Sequence, residues 1–225
     1  MDTFEFKFIS ENWWDLNGPC KALHSLNNVR LNYIKNKTPI TNKNIIDLGC
    51  GGGILSEKLT LHNGNVTGID NSKELILIAK NHSKNKKTQY LNYDIENFSK
   101  TNKNKFDIII CMEVIEHIKD PIKLINLCKE ILNINGDIFL SSLNKNIKTY
   151  LNMIFFGEYI TKKIPKGTHL YNNFISPKYL NEILKINNLE IIDIKGIKYN
   201  PLTNLSKISN NPNNNYIAHI KKTND

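Results

Sequence analysis

The run Ile45-Ile46-Asp47-Leu48-Gly49-Cys50-Gly51-Gly52-Gly53 constrains the fold more than any other segment of the chain. A short apolar strand runs into glycines, and a helical stretch, about 54–62, follows. Absent side chains let a ligand approach the backbone, and the N–H groups at the helix start are free to meet it. The spacing is G-x-G-G-G, and no G-K-[ST] follows. A phosphate-binding P-loop is thereby excluded and a dinucleotide site of the G-x-G-x-x-G type disfavoured. Asp47, at the strand end, would repel a pyrophosphate but suits a cationic or amino-acid-bearing ligand.

The pattern around this loop is strand–helix alternation. Residues 66–70 and 89–93 read as strands, the second weaker, with a helix over 73–83 between them. Phe106–Cys111 is a nearly continuous apolar run of the kind that a parallel strand buried on both faces requires. An amphipathic helix over 121–132, a turn at 133–136 and a strand over 137–142 complete the alternation, and late strands are expected at 190–196 and 216–221. This spacing predicts an α/β fold, Rossmann-like, with a mostly parallel seven-stranded sheet, an antiparallel last strand and helices on both faces. Two segments interrupt it, an insert over 146–176 and an Asn/Pro-rich excursion over 197–215. Residues 1–40 form a helical cap broken at Gly18-Pro19. At 225 residues the whole is one domain.

Composition narrows the partners. The net charge of +9 comes from 30 basic and 21 acidic residues, yet Arg30 is the only arginine. With 36 asparagines alongside the lysines, the charge reflects compositional drift more than a nucleic-acid surface, which would use guanidinium forks. No apolar run approaches the roughly 20 residues of a spanning helix, and no secretory signal is evident. The cysteines Cys20, Cys50, Cys111 and Cys128 lack C-x-x-C spacing, so a zinc ribbon and a disulfide scaffold are disfavoured and a reducing cytoplasm is expected.

Candidate site residues cluster at strand ends. Asp70 ends the second strand, 21 positions after Gly49, where doubly wound folds place an acid that accepts from ribose hydroxyls. Asp94 follows the third strand and suits an adenine amino group. Met112 follows the fourth, where a soft side chain can line an adenine pocket or simply fill the core. Glu113, Glu116 and His117 have i, i+3, i+4 spacing and would share a face on a helical turn, as a divalent-ion site or with His117 as a base.

These motifs resemble the class I S-adenosylmethionine-dependent methyltransferases. Further stretches, WWDLNGPCKALHSLNNVRLNYI (13–34), CMEVIEH (111–117), SSLNKN (141–146), PKGTHLYNNFISP (165–177) and YNPLTN (199–204), are similar to the ubiquinone biosynthesis O-methyltransferase family. The resemblance runs from about residue 4 to residue 221. It implies methylation of phenolic hydroxyls on polyprenylated catechol-type intermediates, at the 2-polyprenyl-6-hydroxyphenol and 3-demethylubiquinol steps. It implies S-adenosylmethionine held by positions matching Arg30, Gly49, Asp70 and Met112, with the Arg30 guanidinium on the donor carboxylate, and Gly51 and Asp94 are expected beside the same donor. It also implies Mg²⁺ at Glu113, Glu116 and His117. A long isoprenoid tail implies a peripheral contact with the inner, anionic face of a membrane. The insert 151–174, which mixes Phe155, Phe156 and Ile160 with Lys162 and Lys163, suits that contact. Other enzymes of the pathway are expected partners and nucleic acid is not. The alternatives are a methyltransferase of another small molecule and, less favoured, of RNA.

Overall fold

The computed structural model describes residues 8–83, 87–144 and 174–223. After a helical turn at 8–11, the elements are α1 (Lys21–Lys35), β1 (Asn44–Leu48), α2 (Ile54–Leu61), β2 (Asn65–Asp70), α3 (Lys73–His82), β3 (Gln89–Asn92), α4 (Ile95–Ser99) and β4 (Phe106–Met112). A 3₁₀ turn (Ile115–His117) leads to α5 (Pro121–Ile131), β5 (Leu132–Leu143), α6 (Pro177–Ile186), β6 (Leu189–Asn200), β7 (Leu205–Ser209) and β8 (Asn215–Lys222). The insert expected over 146–176 lies almost wholly outside the described residues.

The strands form one sheet in the order β3-β2-β1-β4-β5-β8-β6-β7, and β1 to β5 pair in parallel. β8 runs antiparallel between β5 and β6, so β6 points the same way as β5. The expected architecture is present with eight strands among the described residues rather than seven. The additional one, β7, arises inside the 197–215 excursion, where β6 continues to Asn200 and hairpins back antiparallel. Asparagine and proline mask this strand, because its alternation covers only Leu205–Ser209.

The sheet is covered on both sides, which explains the apolar β4. Ile108 and Ile110 pack with Leu31 and Ile34 of α1 and Leu59 of α2. Ile109 and Cys111 pack on the opposite face with Leu124 and Cys128 of α5 and Leu180 of α6. Residues 133–136, expected as a turn, belong to β5 as a bulge: Leu132 pairs with Phe106 and Asp137 with Ile108, so four residues stand against Asp107 alone. α5 and α6 start with an oxygen cap and a proline, Asp120-Pro121 and Ser176-Pro177, and each cap accepts from the backbone three residues on.

Candidate active site

The loop after β1 is built from backbone that side chains would block. Gly49, Gly51 and Gly53 have φ of 67°, 55° and 87°. A Cβ on Gly49 would lie 2.5 Å from Val114 Cγ2, and one on Gly52 would lie 2.5 Å from the Trp13 ring. The Trp13-Trp14 segment lies along this loop. Trp14 Nε1 donates to the Gly52 carbonyl at 3.1 Å, and its ring stacks on His82 at 3.4 Å with an interplanar angle of 2°. His82 in turn pairs with Glu57 in the first turn of α2, at 2.9 Å.

Beneath the loop, Asp47 is buried and accepts from Ser56 Oγ at 2.5 Å. Burial pushes its carboxyl up to about 7. The Ser56 hydroxyl and the Arg30 charge work against the shift, and Asp70 adds to it. Asp70 accepts from the backbone N–H of Gly51 at 2.9 Å and of Ser72 at 2.8 Å. Ser72 itself caps α3, so Asp70 is left facing the loop.

A cleft of about 320 Å³ opens at the C-terminal ends of β1, β2 and β4, and Gly49, Asp70, Asp94, Glu113 and His117 all line it. This is where open α/β sheets hold ligands. Asp94 also caps α4. The backbone and side-chain N–H groups of Asn97, at 2.9 and 2.7 Å, hold its carboxyl below the usual range. Met112 packs instead in the core with Leu31, Ile34 and Phe139, outside the cleft lining.

Arg30 is buried behind the cleft. Its Nη2 meets Glu113 Oε1 at 2.6 Å and Ser141 Oγ at 3.3 Å, and its Nη1 meets Asn27 at 3.3 Å. Its Nε–H has no hydrogen-bond acceptor among the described residues. Glu113 adopts a left-handed φ of 56°, unusual for a residue with a side chain. That conformation breaks the helical turn which was expected to align Glu113, Glu116 and His117. Glu116 turns inward, is buried and accepts from Ser142, while His117 stays exposed at the cleft. Burial and the neighbouring Glu113 charge push the Glu116 carboxyl up.

The expected Mg²⁺ set is therefore not assembled. Among the described residues no group of three His, Cys, Asp or Glu side chains is placed to hold an ion. A guanidinium 2.6 Å from Glu113 also makes that carboxylate a poor metal ligand. The lining suits a sulfonium amino acid nucleoside better: glycines leave the backbone open, the Asp70 carboxylate lines the cleft, and the Arg30 Nε–H has no acceptor among the described residues. Sequence reasoning did not anticipate Tyr93, Val114 and Ile118 in the lining, or Ser141 and Asn27 beside Arg30. Ser141 stands at the end of β5, and that position was a usable signal.

A methyltransferase-domain family model matches residues 14–194. The ubiquinone biosynthesis O-methyltransferase of Coxiella burnetii is 41% identical over 217 residues, which cover 95% of this chain and 92% of that protein. The enzyme of the same name from Aliivibrio fischeri is 38% identical over 218 residues, covering 96% and 93%. In structure, the chain is similar to magnesium protoporphyrin IX methyltransferase from Synechocystis PCC 6803 with bound SAH. The TM-score is 0.72 at 14% identity, with coverage of 98% and 95%. A Thermotoga maritima methyltransferase superposes with a TM-score of 0.66, also at 14% identity, covering 96% and 99%. At such identities these two likenesses establish the fold alone.

Proposed function

The chain belongs to the ubiquinone biosynthesis O-methyltransferase family, and from that premise we propose that it methylates phenolic hydroxyls of polyprenylated catechol-type intermediates. The two steps are those of 2-polyprenyl-6-hydroxyphenol and 3-demethylubiquinol, and S-adenosylmethionine is the methyl donor. The observation that carries this reading is the single cleft that joins the glycine loop, Asp70, Asp94, Glu113 and His117.

When bound, the donor supplies an electrophilic methyl on a sulfonium whose sulfur leaves neutral, keeping the bonding electron pair. The protein's task is to align a phenol oxygen with that methyl and to take its proton. Gly49 and Gly51 admit the donor, and Asp70 accepts from its ribose hydroxyls. Asp94 and Met112 are assigned to the adenine end, Asp94 from the cleft wall and Met112 through the core beneath it. Arg30 binds the donor carboxylate from behind Glu113. His117, exposed on the same cleft, accepts the phenol proton as the oxygen–methyl bond forms, and Glu113 and Glu116 set the charge around it. Orientation within such a cleft lowers a barrier by on the order of 7–11 kcal/mol.

The substrate tail places the enzyme at the inner face of an anionic membrane as a peripheral protein, near other enzymes of the pathway. No described helix is long and apolar enough to cross a membrane.

The test is methyl transfer from labelled S-adenosylmethionine to a short-prenyl catechol, with magnesium and again with chelator. We expect turnover in both, and in His117→Ala a fall in kcat of roughly 10²–10⁴-fold with donor affinity unchanged. Full turnover in His117→Ala, or turnover abolished by chelator, would remove His117 as the proton acceptor. Absence of turnover with the donor bound would overturn the substrate assignment.

A further inference from the structure

Glu113 lines the cleft and stands against a cation that does not. The Arg30 side chain is 4% exposed and that of Glu113 31%, so from the cleft the carboxylate is met before the guanidinium. The placement is fixed from two sides. Ser141 Oγ donates to Glu113 Oε1 at 2.8 Å, and the Glu113 backbone N–H donates to the Ser141 carbonyl at 3.0 Å. Arg30 Nη2 and the Ser141 hydroxyl both meet Oε1, and neither engages Oε2. On the other side of the pair, the Arg30 Nε–H has no acceptor among the described residues.

This order of charges sorts ligands. A simple carboxylate drawn towards Arg30 meets a like charge first, and the guanidinium behind it is already answered. A ligand with an ammonium beside its carboxylate meets the opposite situation, because each of its charges has a counterpart in the pair, and hydrogen bonds between ionised groups are the strong ones. The other acids of the site are taken. Asp70 accepts from the N–H groups of Gly51 and Ser72, Asp94 from Asn97, and Glu116 turns inward to Ser142. In the sheet order β2 and β4 flank β1, so Asp70 and Glu113, at the ends of those strands, stand two strand spacings apart, roughly 10 Å. One extended ligand with its ribose at Asp70 and its amino acid at Glu113 spans that distance.

We propose that Glu113 sets donor specificity: its carboxylate takes the α-ammonium of S-adenosylmethionine while Arg30 takes the α-carboxylate, so that the pair clamps the amino acid as a zwitterion. The proposal rests on S-adenosylmethionine as the donor, and it gives Glu113 a part in binding that requires neither a metal nor His117. It also gives a purpose to the left-handed φ of 56° at Glu113, a conformation that side-chain-bearing residues keep at ligand clamps. That φ takes Glu113 off the helical face expected for Glu116 and His117 and sets its carboxylate on Arg30. A nucleoside that lacks the amino acid, or carries only its carboxylate, leaves Glu113 without a counter-charge from the ligand.

The experiment is calorimetry of the full chain with three thioethers that differ only at the amino-acid end. They are S-adenosylhomocysteine, its decarboxylated analogue, which keeps the ammonium, and 5′-methylthioadenosine, which has neither charge. On the parent, the decarboxylated analogue should bind about tenfold tighter than 5′-methylthioadenosine. Glu113→Gln still accepts from Ser141 and Arg30. It should weaken S-adenosylhomocysteine and the decarboxylated analogue alike, by about tenfold, and leave 5′-methylthioadenosine unchanged. A variant that loses affinity for S-adenosylhomocysteine but spares the decarboxylated analogue would show that Glu113 only holds Arg30 in place, and would overturn the proposal. So would equal weakening of all three ligands, or no weakening of any. The comparison on the parent does not depend on how the variant folds, and a decarboxylated analogue that binds no tighter than 5′-methylthioadenosine would overturn the proposal by itself. A parent that binds as expected yet methylates no catechol would count against the substrate assignment and leave the clamp intact, whereas a parent that binds none of the three would remove the donor reading and the clamp with it.

Discussion

Asp47 is enclosed at the end of β1, where its side chain accepts from the Ser56 hydroxyl. Its carboxyl, ordinarily near 3.8, is held up to about 7, first by burial. A raised folded value means that its contribution to stability is complete below about 3.8 and is lost progressively as pH rises to about 7. Asp47→Asn stays neutral throughout and still accepts from Ser56. It should therefore be more stable than the parent at pH 8, by on the order of 2–4 kcal/mol for a shift of this size, with little difference below pH 4. Thermal melts across that range would show it, and an unchanged pH dependence would refute it. The acid before the glycines was legible in the sequence, as was Asp70. The partnership of Arg30 with Glu113 was not, because it joins positions 83 residues apart and depends on a left-handed φ that no residue pattern announces.

At the scale of elements, the strand–glycine–helix unit is the part most fully readable in advance. An apolar run, three left-handed glycines and a helix start leave few other solutions, and β1, the loop and α2 fall where the pattern puts them. Gly49 also shows how narrow the solution is, since Val114 from the loop after β4 closes directly over it. Gly49→Ala meets both a 2.5 Å contact and a φ of 67°. We expect loss of roughly 1–3 kcal/mol of stability and at least tenfold weaker donor binding, measured by denaturation and calorimetry. Parental affinity would show that Val114 yields. β7 and the 133–136 bulge escaped the same reading. Short edge pairings and irregular registers are decided by the neighbouring strand, and local alternation does not encode them.

For the whole molecule, the end of the sheet opposite the cleft is tied by one carboxylate. Asp137 at the start of the regular part of β5 accepts from His219 on β8 at 2.7 Å and from Thr38 after α1 at 2.9 Å, with Lys221 at 3.3 Å. Burial pushes its carboxyl up, but these hydrogen bonds and the Lys221 charge outweigh it and hold it below 3.8. Its stabilisation is thus present above about 3.8 and lost as pH falls through the lower folded value. Asp137→Asn, which removes the carboxylate that His219, Thr38 and Lys221 share, should cost roughly 1–3 kcal/mol at neutral pH and lessen the further weakening in acid. Equilibrium denaturation at pH 7 and pH 3 measures both, and a loss under 1 kcal/mol would show the tie to be incidental.

The placement of the tryptophans has an optical consequence. The chain holds two of them, Trp13 and Trp14. One indole lies against Gly51 and Gly52, and the other bonds the Gly52 carbonyl while stacked on His82. Every photon that this protein emits from an indole therefore originates at the loop assigned to the methyl donor. Its emission is a gauge of that loop alone, silent about the rest of the molecule, and an imidazole that can quench it is already in place against Trp14.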